Sequence, residues 1–320
     1  MKDDAVAPVV AAMLVLAVIV TLFSAWNAVY LPSLKQQSEI TQARDIENAF
    51  TRFSSDLSAA ASLRRTAGFS EPMPLGGGNV IFSPVTSAGT LRVNEEPKQL
   101  YSVTIIRGTT TRYTEPGRLV NFSYRPVQDF WTDQGYVWHY GYVNVTKGSP
   151  GNGADAAALS SPLQYPSMNE VATSPVITAF AGSLISMDDE PWSNATTNCS
   201  RLTLSAVTFH REPKASYTSS NGIGTLALTA DVNETPVGIL HSVDQDRIVI
   251  RVSRSVPDPF SSGLFTACNQ SFARLNRTYP HNIAHSFGTT ALYNETAIAA
   301  AGDLPFDLTY RHIAINVSAI

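Results

Sequence analysis

Residues 5–31 form an uncharged apolar run, AVAPVVAAMLVLAVIVTLFSAWNAVYL, which begins shortly after the first methionine. As a helix, about 27 residues with a rise of about 1.5 Å each would reach about 40 Å, enough to cross a hydrocarbon core of about 30 Å with some tilt. In lipid the backbone amides must be bonded within the segment, which requires a helix. The run therefore predicts one transmembrane helix over residues 5–31, after a short cytoplasmic N-terminus at residues 1–4.

The features of the run favour an anchor, and the alternatives are a cleaved signal peptide and a buried soluble helix. Residues 2–4 hold one Lys and two Asp, the run is too long for a signal h-region, and its far end has no small-x-small cleavage site. Trp26 and Tyr30 lie where an aromatic belt marks the outer interface. Pro8 lies in the first turn, where its missing N–H costs nothing. The predicted anchor and assembly residues are Ala5, Val6, Pro8, Val9, Leu14, Trp26 and Tyr30.

A second, amphipathic helix is expected after Pro32, which disfavours a helical conformation at the residue before it. Ser33 could serve as a new N-cap, with Gln36 at the capping-box position. We predict a helical stalk over residues 33–67, with charged side chains such as Lys35 and Glu39 on a solvated face. Its apolar stripe must pack on the chain's own β-domain or on neighbouring subunits. The stripe comprises Ile40, Ile46, Phe50, Phe53 and Leu57.

Beyond a Pro- and Gly-rich connection at residues 72–78, the apolar period changes from helical spacing to two. The predicted fold class is α+β: the long N-terminal helix followed by a mainly antiparallel β-sandwich ectodomain over residues 79–320. The Gly-, Ser- and Pro-rich residues 146–175 suggest a long loop and a possible subdivision into two modules. A short helix is expected near residues 263–268. Strands are predicted at 80–82, 90–93, 101–106, 119–124, 136–145, 202–210, 224–232, 247–252 and 312–317.

Asn-x-Ser/Thr sequons are more frequent than chance would give. Nine of the 17 asparagines stand in one, against about three expected at this Ser/Thr frequency, and all nine lie beyond the apolar run. As a group they favour an extracellular domain carrying N-glycans and an N-terminus inside the cell. The candidate glycosylation sites are Asn121, Asn144, Asn194, Asn198, Asn233, Asn269, Asn276, Asn294 and Asn316.

The chain has two cysteines, Cys199 and Cys268. In a domain outside the membrane, two cysteines most simply form one disulfide, which would close a loop of about 70 residues. The alternative is a pair of buried free thiols.

Composition and motifs argue against nucleic-acid binding, metal binding and catalysis. Charged residues make up 15% of the chain, the net charge is −4, and no basic cluster matches a phosphate backbone, so no nucleic-acid partner is expected. His281 and His285 have i, i+4 spacing but lack the glutamate of a zinc protease. Residues 188–190 and 244–246 indicate acidic turns more than calcium sites. No G-x-S-x-G elbow occurs. We predict no enzyme, no metal and no cofactor.

Aromatic residues alternate along residues 136–142. Tyr136, Trp138, Tyr140 and Tyr142 would share one face of a strand. Such a face is typical of a sandwich core, and the alternative is a platform on which sugars stack.

The entry to the apolar run, Asp4-Ala5-Val6-Ala7-Pro8-Val9-Val10, leads directly into a β-branched and Leu-rich span. This segment resembles the N-terminus of archaeal type IV pilins and archaellin-like surface proteins, over about the first 65 residues. The resemblance implies that the helix anchors and assembles the protein, with membrane lipid and identical or related subunits as partners.

Together these features predict a single-pass, N-terminally anchored, pilin-like cell-surface protein. Its role would be structural or adhesive, as a filament subunit or minor pilin. A monomeric anchored binding module, for instance for glycans, is the alternative, and an ectoenzyme is a more distant one.

Overall fold

A computed structural model describes residues 6–77, 86–127, 134–147, 161–162, 174–193, 195–243, 245–256 and 260–320. One long N-terminal helical rod precedes a domain rich in antiparallel strands. The predicted α+β class is confirmed. The predicted strand at 80–82 and most of the predicted loop at 146–175 lie outside the described residues.

The rod has three parts: α1 (Val6–Ala25), a π-helical segment (Trp26–Tyr30) and α2 (Leu31–Leu63). The break expected at Pro32 is wrong, because the helix runs on through the proline. Proline has no N–H for the bond to the residue four positions back, and its ring crowds that residue's carbonyl. The π-helical turn just before Pro32 is the kind of local widening that accommodates such a residue.

Ser33 does not begin a new helix either, because its hydroxyl donates to the backbone oxygen of Tyr30 at 2.8 Å. The rod ends at Arg64, which adopts the left-handed conformation with φ 51° and ψ 34°. Only a few residue types tolerate this conformation, and it commonly closes helices. The stalk therefore ends at Leu63, four residues before the predicted limit.

Two shorter helices, α3 (Pro175–Ser183) and α4 (Phe260–Thr278), lie in the β-domain. The helix expected near 263–268 is thus present but much longer. The side chain of Ser174 caps α3 by accepting a hydrogen bond from the Val176 N–H. The strands are β1 (Ala67–Pro74), β2 (Ala88–Glu95), β3 (Tyr101–Arg107), β4 (Thr110–Gly117), β5 (Val120–Val127), β6 (Gln134–His139), β7 (Tyr142–Lys147), β8 (Ser161–Pro162), β9 (Ile185–Trp192), β10 (Ala195–Ser220), β11 (Ile223–Leu240), β12 (Arg247–Ser253), β13 (Ile283–Thr289), β14 (Tyr293–Ala300) and β15 (Phe306–Ala319).

The strands form two sheets. The larger has the order β1-β11-β15-β10-β2-β5-β6-β7-β8, with β9 also paired to β10; the smaller has the order β13-β14-β12-β3-β4. Among the described strands, β10 and β15 form the one parallel pair. Buried apolar side chains of α2, α4 and both sheets belong to one contiguous core.

Two local predictions in the β-domain were wrong. Residues 136–145 were expected to be one strand but form the hairpin β6–β7, which turns at Tyr140 (φ 48°) and Gly141 (φ 88°). The connection expected at 72–78 begins inside strand β1, which pairs with β11. Because β1 is an edge strand, Pro72 and Pro74 need not donate to a second neighbour.

Candidate functional site: the exposed apolar helix and its junction with the β-domain

The first half of the rod is apolar and uncovered. The continuous helix from Pro8 to Leu63 is long and apolar enough to cross a membrane, and none of its most apolar window is buried within the chain. Met13 is 66% exposed and Leu14 is 63% exposed. A helix that is apolar all round requires an apolar surrounding. Of the predicted anchor residues, Pro8, Val9, Leu14, Trp26 and Tyr30 are exposed, Val6 begins α1, and Ala5 lies outside the described residues.

The π-helical segment marks the end of this exposed half. The rings of Trp26 and Tyr30 lie 4.3 Å apart between centroids, tilted by 44°. Asn27, the one amide side chain here, donates through Nδ2 to the Phe23 backbone oxygen at 3.0 Å. The polar group is therefore bonded within the helix, as an apolar surrounding requires.

Twelve residues beyond the end of the π-helical segment, α2 contacts the β-domain through the polar side chain of Gln42. Gln42 donates through Nε2 to the Pro74 oxygen at 3.1 Å and to the Tyr124 hydroxyl at 3.0 Å, and it accepts from the Ser87 hydroxyl at 3.2 Å. Burial raises the pKa of Tyr124 well above its usual range, so its hydroxyl stays protonated. Lys35 and Glu39, predicted on a solvated face, are instead buried.

The apolar stripe of α2 packs on the chain's own β-domain. Phe50 and Phe53 both contact the ring of Phe122, with centroids 5.3 and 5.1 Å apart. The Trp138 indole N–H donates to the Ser54 hydroxyl at 3.0 Å, and the Tyr136 hydroxyl donates to the Ala43 oxygen at 2.9 Å. Of the predicted stripe, Ile40 is half-buried and the other four residues are fully buried: Ile46, Phe50, Phe53 and Leu57.

Ion pairs tie the upper part of the rod to two strands. Arg52 pairs with Glu71 on β1, and Arg64 pairs with Asp188 on β9 at 2.8 Å. These pairs add little stability individually, and the main attachment of the rod to the domain is the buried stripe. The stalk is therefore an integral part of the β-domain.

The nine predicted sequons differ in accessibility. Asn233 on β11 is exposed, whereas Asn144 and Asn198 are buried. The Asn144 amide lies 2.6 Å from Nε2 of His139, and the Asn121 amide donates to Glu96 at 3.0 Å. Asn194 lies outside the described residues. The half-buried sites are Asn121, Asn269, Asn276, Asn294 and Asn316.

The predicted disulfide is not formed. Cys199 and Cys268 are both buried free thiols. The Cys199 thiol contacts the Arg201 backbone oxygen at 3.2 Å, and the Cys199 backbone is bonded in both directions to the side chain of Asn282. Cys268 lies on the buried face of α4. Burial raises the pKa of each thiol to about 12, which keeps both protonated and unreactive.

The described polar residues considered for metal binding are either exposed or bonded to other protein groups. His281 is exposed in a turn, and His285 lies on a strand where Nε2 contacts Asn269 and Thr296. Burial would raise the pKa of Asp189, but hydrogen bonds from Arg274 and Tyr279 outweigh it and hold this pKa below its usual value. The described residues contain no group of three His, Cys, Asp or Glu side chains able to hold a metal ion.

Asp246, from the second acidic turn, is fully buried and accepts hydrogen bonds from the backbone N–H groups of Gly108 and His241. It closes a turn within the domain. Asp244 lies outside the described residues.

The aromatic alternation at residues 136–142 belongs to the core. Tyr136 and Trp138 are fully buried, and Trp138 stacks on Phe122 at 5.0 Å with 8° between ring planes. Tyr140, in the hairpin turn, and Tyr142, after it, are also buried. These rings present no row of exposed faces to a sugar.

One polar cluster had no signal in the sequence. The buried hydroxyl of Thr208 on β10 lies 3.0 Å from Nε2 of His210 and 2.7 Å from Nε2 of His312 on β15. Glu115 on β4 lies 3.8 Å from the same His312 nitrogen. More than 100 positions separate Thr208 from His312, so only the parallel pairing of β10 with β15 brings them together.

Comparisons of the chain with protein-family models, with curated proteins and with solved structures found no match.

Proposed function

We propose that this protein is a single-pass, membrane-anchored cell-surface protein with a structural or adhesive role, whose apolar helix holds the β-domain at the outer face of the membrane. The exposed apolar half of the rod carries this proposal, since a helix with Leu and Val on every side needs lipid or other helices around it. The sequons, all on the far side of the helix, support an outward-facing, glycosylated domain.

The buried apolar face of α2 supports a rigid connection between the anchor and the β-domain. The helix passes from its exposed half to a half clamped by Phe50, Phe53 and Leu57 without an intervening flexible linker. The β-domain would therefore stand directly on the membrane surface.

Membrane extraction of matched variants tests the anchor. The double variant Leu14→Arg/Val18→Arg places two charges mid-span, each costing about 3 kcal/mol, and we expect it to leave the membrane fraction in alkaline carbonate. Leu63→Arg adds a charge at an exposed site on the far end of the same helix and should stay in the membrane. Retention of the double variant would contradict the proposal.

Labelling of intact cells tests the orientation. Thr266 is exposed on α4, and both native cysteines are buried. A Thr266→Cys variant should react with a membrane-impermeant maleimide on whole cells, whereas the wild type should not. Labelling only after lysis would place the domain inside.

A filament subunit is a second candidate, supported by the same uncovered helix half, which could be surrounded by equivalent helices. The stripe of α2 gives no support to it, because the chain's own domain covers that face. Filaments that disappear from cells on deletion of the gene, seen by electron microscopy, would favour assembly; unchanged cell surfaces would favour the monomeric anchor.

A further inference from the structure

The free edge of the smaller sheet is strand β13. It pairs only with β14 among the described strands, and Ala284, Ser286, Phe287 and Gly288 along it are exposed. Phe287 is 69% exposed. A Cβ atom built on Gly288 would meet no atom within 4 Å. The outer side of this strand is therefore open to another chain.

Edge strands in soluble domains are usually protected by charge, proline or a bulge, because their free N–H and C=O groups bind other strands. The sequence of β13, IAHSFGT, contains no Lys, Arg, Asp, Glu or Pro, and its pairing with β14 has no register shift. The edge β4 of the same sheet, in contrast, carries Arg112, Glu115 and Pro116 and has a register shift. Of the two edges of this sheet, β13 is thus the one that lacks protection.

The pattern along β13 is complementary to itself. If two copies pair antiparallel about Ser286, then Ala284 lies opposite Gly288 of the second copy and His285 lies opposite its Phe287. The first pair is small on both sides. The second places an exposed aromatic ring beside an imidazole that already stacks with Phe287 in its own chain, at 5.9 Å. No like charges meet at any position.

We infer that β13 is a self-association edge, at which two copies of this chain join their five-stranded sheets into one ten-stranded sheet centred on Ser286. The inference goes beyond the proposed anchoring role and does not depend on it. The second copy is the occupant that the residue types of β13 favour, because pairing about Ser286 opposes no like charges and places the small residues Ala284 and Gly288 opposite each other.

Cysteine cross-linking of the full-length protein in detergent tests the register. About the two-fold axis at Ser286, the two Ser286 Cα atoms would lie about 5 Å apart, within reach of a disulfide. We expect mild oxidation of Ser286→Cys to give a covalent dimer. Ala284→Cys lies on the same face and is similarly exposed, but its two copies would be about 13 Å apart and should stay monomeric.

A charge at the axis gives the complementary result. Ser286→Lys would place two like charges opposite each other, and sedimentation should show at least a tenfold weaker dimer than the wild type. Ala284→Lys, which would face Gly288, should have a smaller effect. Equal cross-linking of the two cysteine variants, or a wild-type protein that sediments as a monomer, would overturn the inference. Either result would leave the carbonate extraction of the anchor variants unchanged.

Discussion

The imidazole of His139 contacts the rings of Tyr140 and Tyr142, whose centroids lie 5.3 and 4.7 Å from its own. Burial lowers its pKa to about 4. The pKa of His312 is also lowered, by burial first and by the nearby His210, although Glu115 partly opposes this. Both imidazoles are therefore neutral in the folded protein at neutral pH. Each one makes the stability of the folded domain sensitive to acid.

The folded protein should lose stability as the pH falls from about 6.5 towards 4. Unfolded histidine has a pKa of about 6.5, so over this range the unfolded state binds protons that the folded state does not. His139 alone would contribute a loss of up to about 3 kcal/mol across that window. Denaturant unfolding of the full chain in detergent, at several pH values, measures this loss of unfolding free energy.

His139→Gln should show a smaller fall in unfolding free energy between pH 7 and pH 4 than the wild type, whatever its stability at pH 7. His281→Gln, in an exposed turn, is the matched control and should keep the wild-type pH dependence. Parallel pH curves for the wild type and His139→Gln would show that this ring is not held neutral by burial.

At the scale of the element, α2 shows what apolar periodicity can predict and what it cannot. Apolar residues at steps of three and four predicted its buried face, and the packing of Phe50, Phe53 and Leu57 agrees. The partner of that face could not be predicted, since apolar spacing is the same whether the cover is a neighbouring subunit or the chain's own sheet. For the same reason, buried Lys35 and Glu39 were assigned to solvent.

Phe53→Ala should destabilise the domain by about 3–5 kcal/mol, because it leaves a cavity in a fully buried contact with Phe122. Leu63→Ala, at the exposed end of the same helix, should change stability by less than about 0.5 kcal/mol. Denaturant unfolding of the full chain in detergent compares the two. Equal, small effects would mean that α2 does not depend on the β-domain for its cover.

At the scale of the whole molecule, three long strands join the parts of the β-domain. β10 spans 26 residues, β11 spans 18 and β15 spans 14. The first part of β11 pairs with β1 beside the rod, and its second part continues past β1 along β15. Buried residues of α2, α4 and both sheets share one core.

We therefore expect α2 and the distant strand β12 to open together. In hydrogen exchange followed by mass spectrometry, peptides from residues 43–61 and 247–253 should reach the same limiting protection, set by global unfolding. In the Ser286→Lys variant, which keeps the β13 edge unpaired, residues 284–288 should exchange far faster. Loss of protection in α2 well before β12 would instead show that the rod docks as a separate unit.

The sequence by itself determined the apolar helix, the change from helical to strand period and the positions of seven of the fifteen described strands, because each depends on spacing within a short segment. It did not determine the passage of the helix through Pro32, the edge strand β1 with its two prolines, or the free state of Cys199 and Cys268. Those depend on which element lies alongside, as do the cover of the α2 stripe, the Thr208 cluster and the open edge at β13. The pairing of β10, β11 and β15 brings together residues that are far apart in the chain, and only the tertiary structure shows this pairing.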